Sequence, residues 1–401
     1  SSEVLPEIRE YERIATTVLD AYLTPLLADY LHGLAERAAD AGLPEPSIMQ
    51  SSGGLIGLDA AAHHAARTVL SGPAGGLVGA AAVASAQDAP LALAFDMGGT
   101  SCDVALVQDG EPARAHGRTV AGYPVHLPML DIETVSAGGG SIAWADAGGA
   151  LRVGPRSAGA VPGPAAYARG GTHPTVTDAN VVLGRVTGTL GDDRGITLDA
   201  DAARDAVTAL GTRLGLDERA CAEGIIAVAV QEMVRALRVV SVERGIDPRD
   251  GVLVAFGGAG PMHACDVADE LGMRNITCPA SAGVLAAQGM VVAGERRDAV
   301  RTVLLDAADA DALREAVAPL ATHVSDAIPD GQVAHHADCR YRGQSHALTV
   351  PWDPAGPPGA LADAFHSAHA RASGAAMPER PVEVVSVRVA AEAPGPGLAW
   401  D

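Results

Sequence analysis

The sequence predicts an α/β protein, and three observations carry that prediction. Two runs, residues 91–95 and 252–256, are uninterrupted apolar segments of the kind buried on both faces of a sheet. Each ends in a glycine turn, Gly98-Gly99 after the first and Gly257-Gly258-Ala259-Gly260 after the second. Between them lies the strongest helical pattern of the chain, residues 218–244. There Ile226, Val230, Met233, Leu237 and Val240 recur at steps of three and four.

Taken in order, residues 6–41 read as a helix kinked at Pro25. A short apolar segment at 47–50 leads into the turn Ser51-Ser52-Gly53-Gly54. Residues 71–86, almost all small, read as a tightly packed helix. The strand at 91–95 turns through 96–101 and returns over 103–108, and Asp109-Gly110 gives a hairpin signal. Residues 138–184 are rich in Gly and Pro and read as a long functional loop. The helix over 218–244 is expected to stop at Gly245 in a left-handed cap. After the second buried strand come a helix (262–271), a short strand (275–278) and another small-residue helix (283–294). From about residue 301, a helix (308–323), a strand (335–350), a helix (361–373) and a strand (382–389) predict a smaller C-terminal α/β domain. Two domains are expected, 1–298 and 299–401.

The 401 residues can bury a sizeable core. Hydrophobic residues make up 48% but aromatics only 3%, with 47 glycines, so that core is built from Ala, Val and Leu with close backbone approaches. The 49 acidic residues outweigh 28 basic ones, for a formal charge of -21, and all 28 are arginine. Such a surface repels polyanions, which excludes nucleic-acid binding. The five cysteines form no CxxC pair, so neither a zinc ribbon nor a disulfide framework is indicated. No run reaches the ~18 uncharged apolar residues of a membrane span. Ser1-Ser2-Glu3 opens no signal peptide. A cytoplasmic protein is expected, and the start, without Met and running straight into a helical pattern, reads as a cut.

The chemistry gathers at Asp96-Met97-Gly98-Gly99-Thr100-Ser101-Cys102-Asp103. A buried strand delivers a carboxylate to its end, where glycines free to take positive φ let N–H groups line a concave anion site. The hydroxyls of Thr100 and Ser101 add donors. Two carboxylates beside a polyphosphate call for Mg²⁺ between them. Asp96 is the metal-side carboxylate; Asp103 either joins it or holds the turn together. At the second turn, Gly257, Gly258 and Gly260 allow backbone to lie flat against a purine, with a helix N-terminus behind. Gly138, Gly139 and Gly140, with Ser136, either bind a phosphate or substrate through their N–H row or form a structural turn. Thr177 and Asp178 either place a carboxylate near the metal or the substrate, or cap a helix. His263 either touches the nucleotide or is structural. Arg342 and Gln344 serve a subunit contact or a core-edge ion pair.

The order of these elements is similar to that of the actin-like ATPase fold: small-residue helix, strand and DxGGT turn, long helix, strand and glycine turn, second small-residue helix. The two small-residue helices would cross where Gly75, Gly76, Gly79, Ala286, Ala287 and Gly289 permit close approach. Only one phosphate turn of the expected pair is present; the other is expected N-terminal to Ser1. Detail within the sequence resembles the hydantoinase A/5-oxoprolinase family over nearly the whole chain. The stretches that carry the resemblance include Pro6-Glu7-Ile8-Arg9-Glu10-Tyr11, Gln50-Ser51-Ser52-Gly53-Gly54, Ser71-Gly72-Pro73-Ala74-Gly75-Gly76 and Phe95 to Ser101. Ala137 to Ala143, Thr175 to Asn180, Phe256 to Ala264 and Tyr341-Arg342-Gly343-Gln344 complete them. Ser136 and Cys102 stand where the family pattern has Gly and Thr.

The resemblance implies an actin-like (ribonuclease H-like) core and ATP with Mg²⁺. It implies phosphorylation of a carbonyl oxygen during hydrolysis of a cyclic amide such as hydantoin, 5-oxoproline or a related lactam; Asp96 and Asp178, read from their own surroundings, are the candidate catalytic acids. It also implies two partners, an N-terminal lobe of the same protein and a hydantoinase B-type subunit or domain, without which the chain alone is expected to be inactive. The same architecture serves ATP-dependent ketone carboxylases, which bicarbonate-dependent turnover would reveal. A nucleotide-gated chaperone or scaffold of the actin-like group would instead show ATP-driven affinity for polypeptides and no small product.

Overall fold

The computed structural model describes residues 1–191 and 195–397. Helix α1 (Glu10–Asp40) runs on through Pro25. The small-residue helix α2 (Ser71–Ala86) precedes the hairpin of β1 (Leu91–Met97) and β2 (Cys102–Gln108). Next come β3 (Ile132–Val135), α3 (Val176–Val182) and α4 (Glu218–Val240). They are followed by β4 (Val252–Phe256), α5 (Gly260–Leu271), β5 (Asn275–Thr277) and α6 (Leu285–Val292). The C-terminal part holds β6 (Glu295–Asp306), α7 (Ala310–Ala327), β7 (Gln332–Tyr341), β8 (Leu348–Pro351), α8 (Ala360–Ser373) and β9 (Val382–Ala393).

These elements form two compact units, one of residues 75–113 and 131–290, the other of residues 1–74, 114–130 and 291–397. The expected boundary at 298/299 is therefore corrected. It would cut β6, which pairs with β9 on both sides of it, Asp298 opposite Ala390 and Ala299 opposite Val389. The chain enters each unit more than once, which no local signal announces.

In the first unit the sheet order is β3-β2-β1-β4-β5. The first three strands are antiparallel, while β1–β4 and β4–β5 are parallel. With strands counted in chain order this is 3-2-1-4-5, the ribonuclease H-like arrangement, and the expected fold class holds. One face of the sheet, Leu93, Phe95, Met97, Val104 and Leu106, packs with Ile225, Ala229, Met233 and Leu237 of α4. Asp217 caps α4 by accepting from the Ala220 N–H (2.8 Å). The helix ends at Val240, short of residue 244, because the Ser241 hydroxyl bonds back to the Leu237 carbonyl (2.6 Å) and the chain tightens into a 3₁₀ turn closed by Gly245 at φ 77°. The segment 138–184, expected as a loop, contains the hairpin Ser141–Ala145/Leu151–Ser157 and helix α3. Elements this short, set apart by Gly and Pro, leave no period to read.

Helices α2 and α6 touch backbone to backbone within this unit. A Cβ on Gly79 would lie 2.8 Å from the Leu285 carbonyl oxygen, and one on Gly289 would overlap the Gly75 carbonyl oxygen. In the second unit the short strands Ile48–Met49 and Leu55–Ile56 extend the sheet formed by β6, β9, β7 and β8 in that order. Its core joins Leu313, Val317 and Val324 of α7, Phe365 of α8, and Tyr341, Val384 and Val387. The alternating strand expected over 335–350 is two strands, β7 and β8, paired antiparallel.

Because the α2–α6 contact leaves no room for a methyl group, Gly289→Ala should lower stability by about 2–3 kcal/mol, the cost of overpacking a rigid contact. The shift of the urea midpoint at unchanged slope measures it; a change under ~0.5 kcal/mol would mean the helices separate freely.

Candidate functional site

Strands β1 and β4 lie side by side and parallel, Ala94 opposite Val254 and Asp96 opposite Phe256, so both glycine turns leave the same edge of the sheet. They are in contact there. The Ala259 N–H donates to the Met97 carbonyl (2.9 Å), and a Cβ on Gly260 would sit 3.2 Å from the Phe95 carbonyl oxygen. Gly257 has φ 82°, and a Cβ on it would overlap a carboxylate oxygen of Asp96. From α2, a Cβ on Gly76 would come within 3.2 Å of the other oxygen and 2.8 Å of the Phe256 ring. Asp96 thus occupies a slot between the second glycine turn and α2. Sequence reading assigned Gly76 to the helix crossing; its place beside Asp96 carried no signal, because small residues fill that whole helix.

The first turn is closed by the Gly98 N–H donating to the Ser101 carbonyl (3.0 Å). Among the described residues, the N–H groups of Gly99, Thr100 and Ser101 donate to no protein acceptor. Nor does either oxygen of Asp96 accept a hydrogen bond from a described residue. Gly98, Gly99 and Gly258 do not have positive φ, contrary to the expectation for the first turn. A Cβ would meet no protein atom closer than 4.0 Å at Gly98 and none within 4 Å at Gly99 or Gly258. Neither backbone strain nor packing inside the protein requires glycine at these three positions.

Asp96 pairs across the hairpin with Asp103. Burial, and after it the Asp103 charge, raises the Asp96 carboxyl to about 6. Asp103 in turn accepts from the Thr134 hydroxyl (2.5 Å) on β3. Cys102 pairs with Met97 and is buried in the core on the other face of the sheet. Burial first, then the two carboxylates, push its thiol well above the ordinary range and leave it inert.

The model of the family Hydantoinase/oxoprolinase matches residues 13–299. The chain belongs to this family. It is 38% identical to an uncharacterized protein of Methanocaldococcus jannaschii over 97% of this chain and 59% of that protein. It is 35% identical to caprolactamase subunit alpha of Pseudomonas jessenii, over 96% of this chain and 58% of the relative. With 5-oxoprolinase 1 of Arabidopsis thaliana it shares 38% identity over 75% of this chain and 25% of that protein. The crystal structure of the ATP-dependent caprolactamase from Pseudomonas jessenii superposes with a TM-score of 0.87 at 35% identity, covering 99% of this chain and 61% of that one. A nucleotide-free acetone carboxylase superposes with a TM-score of 0.75 at 26% identity, covering 98% and 59%. The chain therefore spans less than two thirds of the length of these relatives.

Two expectations for this hydantoinase/oxoprolinase chain are corrected by the geometry. The N–H groups of Gly138, Gly139 and Gly140 form no anion row, because they donate to Ser141 Oγ, the Gly98 carbonyl and the Gly99 carbonyl (2.9, 3.0 and 2.6 Å). A Cβ on Gly138 would lie 2.5 Å from the Thr100 backbone, so these glycines buttress the first turn from behind. Asp178 is no catalytic acid. It is 0% exposed and accepts from the N–H groups of Ala165, Ala166 and Thr175 and from the Thr175 hydroxyl, at 2.7–3.2 Å. Thr175 and Asp178 form a capping box at the start of α3. His263 is fully buried, accepts from the Asn180 amide (3.2 Å), and is held neutral by burial and Arg185, its pKa lowered to about 4. It is structural. Arg342 pairs with Asp306 (3.0 Å) on an exposed surface, and Gln344 accepts from the Tyr341 N–H (3.2 Å).

The two acids should part company on substitution. Asp178→Asn replaces an acceptor by a donor facing four donors, and should lower stability by about 2–4 kcal/mol. Burial raises both carboxyls, but only Asp178 has donors that its substitution would strand, so Asp96→Asn should have the opposite sign. A carboxyl whose pKa is raised on folding binds its proton more tightly in the folded state, so its charge opposes folding as pH rises from the unfolded value through about 6. After discounting for partial solvent access, Asp96→Asn should stabilise at pH 7.5 by about 1 kcal/mol and do nothing at pH 4. Denaturant melts of both variants at both pH values check this; equal destabilisation would show that Asp96 is held as Asp178 is.

Proposed function

We propose that the Asp96 turn binds the phosphates of Mg·ATP and that the chain serves ATP-dependent hydrolysis of a cyclic amide. The observation that carries the reading is the combination at one sheet edge of three unpartnered N–H groups, a carboxylate with no donor, and three glycines that nothing inside the protein requires. N–H groups in a tight turn hold anions, and glycine admits a ligand against the backbone itself. The N–H groups of Gly99, Thr100 and Ser101, with the hydroxyls of Thr100 and Ser101, hold phosphate oxygens. Gly257, Gly258 and Gly260 give the purine a flat backbone surface. Asp96 fits magnesium, which takes one or two carboxylates and fills its other positions with water and phosphate oxygens. Bound there, the ion would neutralise charge between carboxylate and phosphates. Asp103 holds the hairpin and tunes Asp96.

The likeness to a caprolactamase alpha subunit and to 5-oxoprolinases supports a lactam as the substrate class. In the reaction the lactam carbonyl oxygen attacks the γ-phosphorus, and the bond from phosphorus to the ADP oxygen breaks. Water adds to the activated carbon, the ring C–N bond opens as the nitrogen takes up a proton, and a second water cleaves the acyl phosphate so formed, releasing phosphate and the free carboxylate. Transfer of this kind asks the protein for positioning and charge neutralisation, which two glycine turns and a metal supply. A B-type partner subunit in the cytoplasm completes the ring opening, and the chain alone binds ATP weakly without turnover. The likeness to acetone carboxylase favours a second reading, phosphorylation of a ketone enolate ahead of carboxylation.

Binding of Mg·ATP to the chain, read by calorimetry, should weaken about 100-fold in Asp96→Asn and about tenfold in Gly99→Val, which blocks ligand approach without a clash inside the protein. Binding to the unaltered chain should fall as pH drops through about 6, where Asp96 takes up a proton. Metal-dependent binding that ignores both substitutions would remove the nucleotide from this turn. Turnover of a lactam panel with the partner subunit separates the two readings, since bicarbonate-dependent loss of a ketone would sink the lactam assignment.

A further inference from the structure

A second set of polar groups without protein partners lies in the other unit. A cavity of about 290 Å³ opens there beside the Gln50-Ser51-Ser52 turn. Three of its lining residues carry groups that nothing in the protein satisfies. The Ser52 hydroxyl and His116 Nδ1 are buried without a hydrogen-bond partner. The Arg67 guanidinium has neither a hydrogen bond nor an ion pair among the described residues. Its wall mates are different. Arg114 is engaged by Glu392 and the Ser52 carbonyl, Arg296 by Asp298 and Glu392, and Arg388 by Glu7 and Asp338. One arginine of four is left over.

Burial, then the neighbouring Arg297, lower the Arg67 pKa, and the charges of Asp298 and Asp20, neither within ion-pair distance, offset this only in part, so the cation is held where water solvates it poorly. A guanidinium in such a place is costly unless an anion meets its fork. The rest of the wall is mixed: Leu127, Met129 and Val300 give it an apolar part, and Glu3, Asp298, His323 and His336 a polar one in which Asp298 is already paired with Arg296. We propose that this cavity is a binding site for a small organic monocarboxylate, its carboxylate forked on Arg67 with the Ser52 hydroxyl as a further donor, and its apolar body against Leu127 and Met129. The site is independent of the nucleotide reading, since all its residues belong to the unit that does not contain Asp96.

Carboxylate and size are tested together with hexanoate and benzoate against hexanamide and benzamide, by calorimetry on the whole chain. The acids bind and the isosteric amides do not. Arg67→Gln weakens hexanoate about tenfold or more, as expected for loss of a charge-assisted fork. Arg67→Lys keeps the charge without the fork and recovers only part of it. Ala115→Phe, which fills the cavity without removing a charged or hydrogen-bonding side chain, abolishes binding and keeps the site testable should Arg67→Gln fold poorly. Mg·ATP affinity stays unchanged in all three variants, which separates failure here from failure at the Asp96 turn. Equal binding of acids and amides, no binding of either acid, or hexanoate binding indifferent to both Arg67→Gln and Ala115→Phe overturns the proposal.

Discussion

The parallel pairing of β1 with β4 is the constraint on which the candidate site depends. Register alone places Asp96 beside Phe256, and once it does, every residue around that carboxylate is limited to what fits. Gly257 and Gly76 come so close to its two oxygens that a methyl group at either position would collide. The pairing is secured by strands buried along nearly their whole length and by α4 packed across one face, so the slot is held by the main core and not by loops. A site anchored in this way is pre-formed, and ligand binding need not order it.

Holding a carboxylate in such a slot has a thermodynamic consequence. Asp96 receives no hydrogen bond from its neighbours and faces a second carboxylate across the hairpin, so its charged form is disfavoured. Asp178 sits only a short stretch of chain beyond the buttressing glycines and meets four donors. Both are acids of one unit, yet one is satisfied from within and the other left wanting a cation. The difference is what separates a structural carboxylate from one kept for a ligand.

Much of this was legible in the sequence, and what was not had physical causes. Strands 91–97 and 252–256 announced themselves because strands covered on both faces carry unbroken apolar runs, and the glycine turns after them stood out for the same reason. Long-range pairing was silent. Nothing local says that β6 belongs with β9 across the intervening residues 307–381, so the domain boundary fell in the wrong place. Gly138, Gly139 and Gly140 looked like an anion row because a glycine run reads alike whether its N–H groups face a ligand or a neighbouring turn; only their bonds to Gly98 and Gly99 decide it. Asp178 was ambiguous in the same way, since an acid three residues after Thr175 suits both a capping box and a metal site.

The distinction that settles these cases is one of satisfaction. Folding leaves few buried polar groups without partners, because each costs about 1–3 kcal/mol. Isolated unpartnered atoms occur elsewhere, such as His263 Nδ1 and Thr24 Oγ1, but several such groups facing one turn or one cavity concentrate that cost where a ligand can relieve it. Gly99, Thr100 and Ser101 offer donors at the sheet edge of one unit, and Ser52, His116 and Arg67 line a cavity of the other. The first group is exposed enough that water shares the burden, so the turn tolerates cycles of occupancy and release. The second includes a full charge, the Arg67 guanidinium, held where water solvates it poorly, so an anion there would relieve a larger cost than a neutral group could.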